Sequence, residues 1–219
     1  MPTQILQIPQ SADPVDARTQ TNVGWIDAFA ITVAGNAAGY PDPTNIGRAT
    51  LTISDIDPLT TLGAHRLEIV TVVGGQARFT VVDPDGNLTA VGETGVAVGA
   101  GGIALTLMNG SPALTAGDAF VIGVTPIPLD ITGIRFDTVV KDIRRTGPDL
   151  LRASTAASPP TIVTGGVGGQ VALKVPWTQM RRLPPGIYAY DTVATADGER
   201  VLAQFGTLTH AIGVGFPLA

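Results

Sequence analysis

The chain has 219 residues, 44% of them hydrophobic and only 14% charged, with 27 glycines, 17 prolines and no cysteine. That length holds one large domain or two of about 100 residues; the glycine and proline content argues against a helical bundle, and the missing cysteines exclude disulfide staples and thiolate metal sites. A net charge of −5, with Lys141 and Lys174 as the only lysines, argues against a phosphate-tracking surface, so no nucleic-acid partner is expected.

Residues 1–23 hold Pro2, Pro9 and Pro14 and few large apolar side chains after Ile8, which predicts an extended arm, disordered alone or paired with a strand edge of another subunit. They lack a cationic start followed by an apolar core, so no secretory signal is expected. From Trp25 the pattern "WIDAFAITV" predicts a strand that ends at a Gly35-Asn36 turn, followed by a loop at "YPDPTN". "RATLTISDI" and "HRLEIVTVV" alternate with period two, and Gly74-Gly75 ends the second run. Arg78 to Val82, Ile103 to Met108 and Ala119 to Val124 add three more strands, separated by Asp83-Pro84-Asp85-Gly86-Asn87, Gly99 to Gly102, Asn109-Gly110 and Gly117-Asp118. Alternation puts Leu67, Ile69, Phe79 and Val81 in a core.

Pro126 and Pro128 cannot donate to a ladder, which places a domain junction at "TPIPLD". Beyond it, "LDITGIRFDTVVKDIRR" reads as two strands or one bent strand, followed by "DLLRAS". Residues Thr155 to Gly169 read as a flexible loop or hairpin, and "QVALKV" as a strand. A short helical turn is expected from Pro176 through Met180. "IYAYDTVAT" and "RVLAQFGTLTH" then form a hairpin across Asp197-Gly198, which supply the positive φ of a tight turn. The expected fold is all-β: two small antiparallel β-sandwich or barrel domains, 24–127 and 128–219, preceded by the arm 1–23.

Two segments carry a family resemblance. "FTVVDPDGN", "GVAVGAGGIALTLMNG" and "AGDAFVIGV", within Gly63 to Thr125, resemble head-decoration and spike modules of tailed-bacteriophage virion proteins. "LPPGIYAYDTVATADGERVLAQFGTLT", within Leu129 to His210, resembles an immunoglobulin-like module of phage tail and baseplate proteins. The resemblance implies an immunoglobulin-like 128–219 domain and a virion location after synthesis in the host cytoplasm. It implies other virion proteins as partners: capsid, spike or fibre, tail or baseplate.

Chemistry-bearing constellations are few. Asp83, Asp85 and Asn87 cluster oxygens, but the spacing fits a turn better than a calcium loop, and Asp55 and Asp57 read the same way. His65 and His210 have no nucleophile motif beside them, and the Gly99 to Gly102 segment joins strands without opening a helix, so it forms no anion cradle. Tyr188 and Tyr190 read as core residues, and too few aromatics remain with Trp177 for a sugar platform. Arg144-Arg145 and Arg181-Arg182 read as exposed loop ends. No catalytic, cofactor-binding or metal-binding residue is assigned, no apolar run reaches the ~18 residues of a membrane span, and no cofactor or membrane partner is expected. The expected function is a non-enzymatic structural component of a bacteriophage or phage-derived particle, oligomeric, that decorates a capsid or anchors a spike or fibre. A tail or baseplate adaptor is the nearest alternative, and a carbohydrate-binding host-recognition module is an alternative of another class.

Overall fold

The computed structural model of the chain describes residue 8, residues 14–21 and residues 23–213. Among these residues the chain is nearly all β, with sixteen strands and one four-residue α-helix, and the strands form sandwich-like pairs of sheets. Two compact units result: Val33–Ile127, and the described parts of Met1–Thr32 together with Pro128–Ala219.

In chain order, β1 (Ala17–Gln20) and β2 (Trp25–Ala30) belong to the discontinuous unit. The continuous unit follows with β3 (Thr32–Pro41), β4 (Ala49–Ile56), β5 (Gly63–Val73), β6 (Gln76–Val82), β7 (Leu88–Glu93), β8 (Ala97–Ala100), β9 (Ile103–Asn109) and β10 (Ala119–Pro128). Its sheets have the orders β3-β10-β5-β6-β7 and β4-β9-β8. The chain then returns with β11 (Arg135–Asp142), β12 (Leu151–Ser154), β13 (Ile162–Thr164), β14 (Gln170–Val175), α1 (Trp177–Met180), β15 (Gly186–Ala196) and β16 (Glu199–Ala211).

In Val33–Ile127 the hairpins follow from turn chemistry. Gly74 and Gly75 (φ 58° and 84°) join β5 to β6, and Gly101 and Gly102 (φ 56° and 91°) join β8 to β9. Both are two-residue loops whose positive φ values match the strand twist. Alternation then turns Leu67, Ile69, Phe79, Val81, Leu105, Leu107, Phe120 and Ile122 inward to one hydrophobic cluster. Each of these side chains is at most 2% exposed, and each such burial contributes roughly 1.5–3 kcal/mol. Leu88–Glu93 and Ala97–Ala100 are additional strands that the sequence reading did not separate from their turns. Nor does the chain turn at Gly35-Asn36: β3 runs straight through it. A Cβ at Gly35 would lie 2.2 Å from the Ile127 side chain, so glycine here permits close packing rather than a turn.

The discontinuous unit has the sheets β1-β16-β15-β11-β12 and β13-β14-β2. β2, β14 and β13 form one sheet of this unit, and β11, β15 and β16 belong to the other. Tyr188, near the start of β15, donates its hydroxyl to the carbonyl of Pro184. Trp25 of β2 meets Tyr190 of β15 edge-on, ring centroids 5.4 Å apart, inside the sandwich.

The division into 1–23, 24–127 and 128–219 is corrected in two places. β2 pairs in register with β14, from Trp25↔Val175 to Ala30↔Gln170, so it belongs with the C-terminal sequence and not with 24–127. β1, read as part of the arm, pairs in parallel with β16, from Ala17↔Leu208 to Gln20↔Ala211. The rest of the arm lies outside the described residues except Ile8, which is buried, residues 14–21 and Val23. Val33–Ile127 is thus an insertion between β2 and β11 of the discontinuous unit. The chain leaves and re-enters it through neighbouring backbone, where Leu129 N donates to Ile31 O at 2.9 Å.

Candidate interaction surface

The residues singled out for chemistry resolve into structural roles. Asp83 Oδ1 accepts the amides of Asp85 (3.0 Å) and Asn87 (2.8 Å), and its Oδ2 accepts Asn87 Nδ2 (3.0 Å). These bonds, the Asn87 side chain foremost, hold its carboxyl below the usual range. Gly86 completes the turn at φ 84°. Asp55 and Asp57 accept the nearby amides of Ile56 and Leu59. Among the described residues no group of three or more His, Asp or Glu could hold a metal ion.

His65 and His210 lie in different units, each buried on the inner face of its strand. His65 Nε2 is 2.8 Å from the Thr61 carbonyl oxygen. Tyr188 and Tyr190 are both core residues, and burial pushes the Tyr190 hydroxyl up to about 12. Trp177 remains 42% exposed, with the Arg181 guanidinium 5.3 Å above its ring. Arg145 sits in a turn, pairs with Asp191 and covers the Phe205 ring at 5.7 Å.

The outer faces of the sheets differ sharply in charge. The five-stranded sheet of the discontinuous unit carries a groove of about 820 Å³ lined by β11, β12 and β15. Within it Arg135 pairs with Asp137 (2.8 Å), and Asp149 pairs with Lys141 (3.5 Å) and with Arg152. The outer face of the inserted unit's five-stranded sheet carries Arg66–Glu68 (3.2 Å) and Arg78–Glu93 (2.8 Å). These exposed pairs keep the faces solvated and add little stability.

The three-stranded sheets are different. On β4-β9-β8 the register brings Thr50 opposite Met108, Thr52 opposite Thr106 and Ala97 opposite Thr106. With Gly99 and Ala104 these make an outer face whose single charge is Asp55, at its end beside Ala104. On β13-β14-β2 the corresponding face holds Ile26, Ala28, Ala30, Val163, Gln170 and Ala172, with Lys174 opposite Ile26 as its single charge. Ile26 is 80% exposed and Met108 50%. Charge depletion of this kind marks the centres of protein–protein interfaces. The sequence reading missed both faces. Their signal was present in the outward positions of "ATLTIS" and "IALTLM", which hold Thr, Ser, Ala and Met where a solvated strand carries Lys or Glu.

No family model matches the chain. No curated protein matches it either. Among solved structures, FlgL of Xanthomonas campestris aligns with TM-score 0.34 and 19% identity over 51% of this chain and 34% of FlgL, in each of two crystal forms. The flagellar junction protein FlgL from Legionella pneumophila aligns with TM-score 0.34 and 17% identity over 49% of this chain and 37% of that one. The chain therefore spans about a third of the length of these structures, and a likeness at this TM-score carries no conclusion about function.

Proposed function

We propose that the chain is a non-enzymatic structural component of a tailed bacteriophage or phage-derived particle, made in the host cytoplasm and carried in the virion. It decorates the capsid or anchors a spike or fibre through protein–protein interfaces, in several copies. The observation that carries this reading is the pair of charge-depleted faces on the three-stranded sheets, around Thr52 and Thr106 in one unit and Ala28 and Ala172 in the other. Surfaces of this kind suit permanent contact with neighbouring subunits. A tail or baseplate adaptor is the second reading, favoured by the immunoglobulin-like strand order and by the motif from Leu183 through Asp191 that resembles phage tail modules.

Mass spectrometry of purified particles from the strain that encodes the chain tests the proposal. Presence at hundreds of copies supports decoration, and three, six or twelve supports an adaptor or fibre base; absence from every particle fraction refutes both. Thr106→Glu and Ala172→Glu, each placing a charge on one of the two faces, should reduce incorporation with little change in melting temperature. Normal incorporation of both variants would rule out these faces as the contact surfaces.

A further inference from the structure

The edge strand β1 is tied to its sandwich through a buried titratable ring. Thr19 Oγ1 and His210 Nδ1 lie 2.8 Å apart at paired positions of the β1–β16 ladder. His210 is 2% exposed, Thr19 is 9% exposed, and the second ring nitrogen, Nε2, is buried with no hydrogen-bond partner among the described residues. A neutral imidazole has one donor and one acceptor nitrogen, whichever tautomer it takes. Protonation makes both nitrogens donors and places a cation where no carboxylate among the described residues answers it. A buried unpaired charge is costly, and the weakest attachment around it gives way first.

Among the described residues the surroundings supply no compensating anion. On β1 the charged neighbour, Arg18, points to the exposed face, and on β15 the register partner of His210 is Gly186. On the segment after α1, Arg181 and Arg182 are exposed, and only the carbonyls of Leu183 and Met180 act on the ring. Burial holds the imidazole below the ordinary histidine range, with those carbonyls pulling the other way. A histidine held low in the folded state contributes stability that is complete above its ordinary value and is lost as the pH falls below it. β1 is only four residues long and has a single neighbour, β16. Its other ties among the described residues include Val15 N to Phe205 O at 2.8 Å, the Tyr190 hydroxyl to Val15 O at 2.9 Å, Thr21 N to Ala211 O at 3.1 Å, Gly213 N to Thr21 Oγ1 at 3.0 Å, and the Thr207–Asp16 side-chain bond.

We propose that β1 is a pH-sensitive strap: protonation of His210 places a buried cation beneath β1, with no carboxylate facing it among the described residues, and loosens β1 from β16 while the inserted unit stays folded. The chain has two histidines and no cysteine, so His65 and His210 are the side chains whose ordinary values fall within about pH 5 to 7.5.

Hydrogen exchange of the full chain, corrected for intrinsic rates, at about pH 7.5 and about pH 5.5 tests this. Amides of β1 and of the β16 residues paired with it should lose protection by about tenfold or more, while β5 and β6 keep theirs. His210→Gln should abolish the pH effect, and His65→Gln should preserve it. Unchanged protection of β1 in the wild type, or a loss that persists in His210→Gln, overturns the proposal. Should His210→Gln fail to fold, NMR titration of the wild-type ring decides: a midpoint below the ordinary histidine value, moving with the β1 amide signals, supports the strap, and an ordinary midpoint overturns it.

Discussion

Gly206 lies opposite Tyr190 on β16, and a Cβ built there would come within 1.8 Å of the Val15 carbonyl oxygen, the same oxygen that accepts the Tyr190 hydroxyl at 2.9 Å. Gly206→Ala should therefore push the start of β1 off the sheet and cost about 2–4 kcal/mol, measured by denaturant unfolding. Gly198 poses a different problem, since nothing lies within 4 Å of its missing side chain but its φ is 85°, beside Asp197 at 50°. There Gly198→Val should cost roughly 1–3 kcal/mol through backbone strain alone, whereas Asp83→Asn should cost much less. Asp118 is a third case. Burial raises its carboxyl, but amides of Thr115 (2.8 Å), Ile46 (2.8 Å) and Gly47 (3.0 Å) outweigh that and hold it below the usual range. Asp118→Ala leaves those amides unpaired and should cost about 2–3 kcal/mol. The carboxylate's contribution is complete above about pH 4 and is lost as the pH falls through its lowered folded-state value, so an acid titration of Asp118→Asn should be flatter than that of the wild type there.

β2 shows how an element's allegiance is decided by pairing rather than by chain proximity. Trp25 at its head is 2% exposed and packs on Tyr190, and its whole register is with β14. Trp25→Ala should cost about 3–5 kcal/mol and lower the unfolding midpoint of the discontinuous unit, with hydrogen exchange in β5 and β6 unchanged. Loss of protection in the inserted unit would contradict that assignment. β14 spans the six residues that its alternation marked, Gln170–Val175, and the α1 turn starts after Pro176 as its fixed φ suggests. β7 and β8 were not legible, because Gly92 and Gly99 sit within them and the sequence reading took Gly99 as part of a turn. A Cβ at Gly92 would lie 2.5 Å from the Phe79 ring, so this glycine makes room for a core aromatic and marks no loop.

At the scale of the whole molecule, every member of the Val33–Ile127 hydrophobic cluster comes from within that segment, from Ala34 to Val124. An excised 33–127 fragment should therefore retain β-sheet circular dichroism and a cooperative melt; a random-coil spectrum would show that its core is insufficient alone. Fold class, most strands and the tight hairpins at Gly74-Gly75 and Asp197-Gly198 were determined by the sequence by itself, because period-two burial and positive-φ turns are encoded within a few neighbouring residues. The placement of β1 and β2 in a sandwich with the distant C-terminal strands, the resulting insertion, and the meeting of Thr19 with His210 were decided only by the tertiary structure. Pairing between strands far apart in the chain depends on which edges and inner faces fit together, and composition does not change where β2 ends and β3 begins. The charge-depleted faces belong to both levels: alternation supplies the residues of each strand, and register across three strands turns them into a surface.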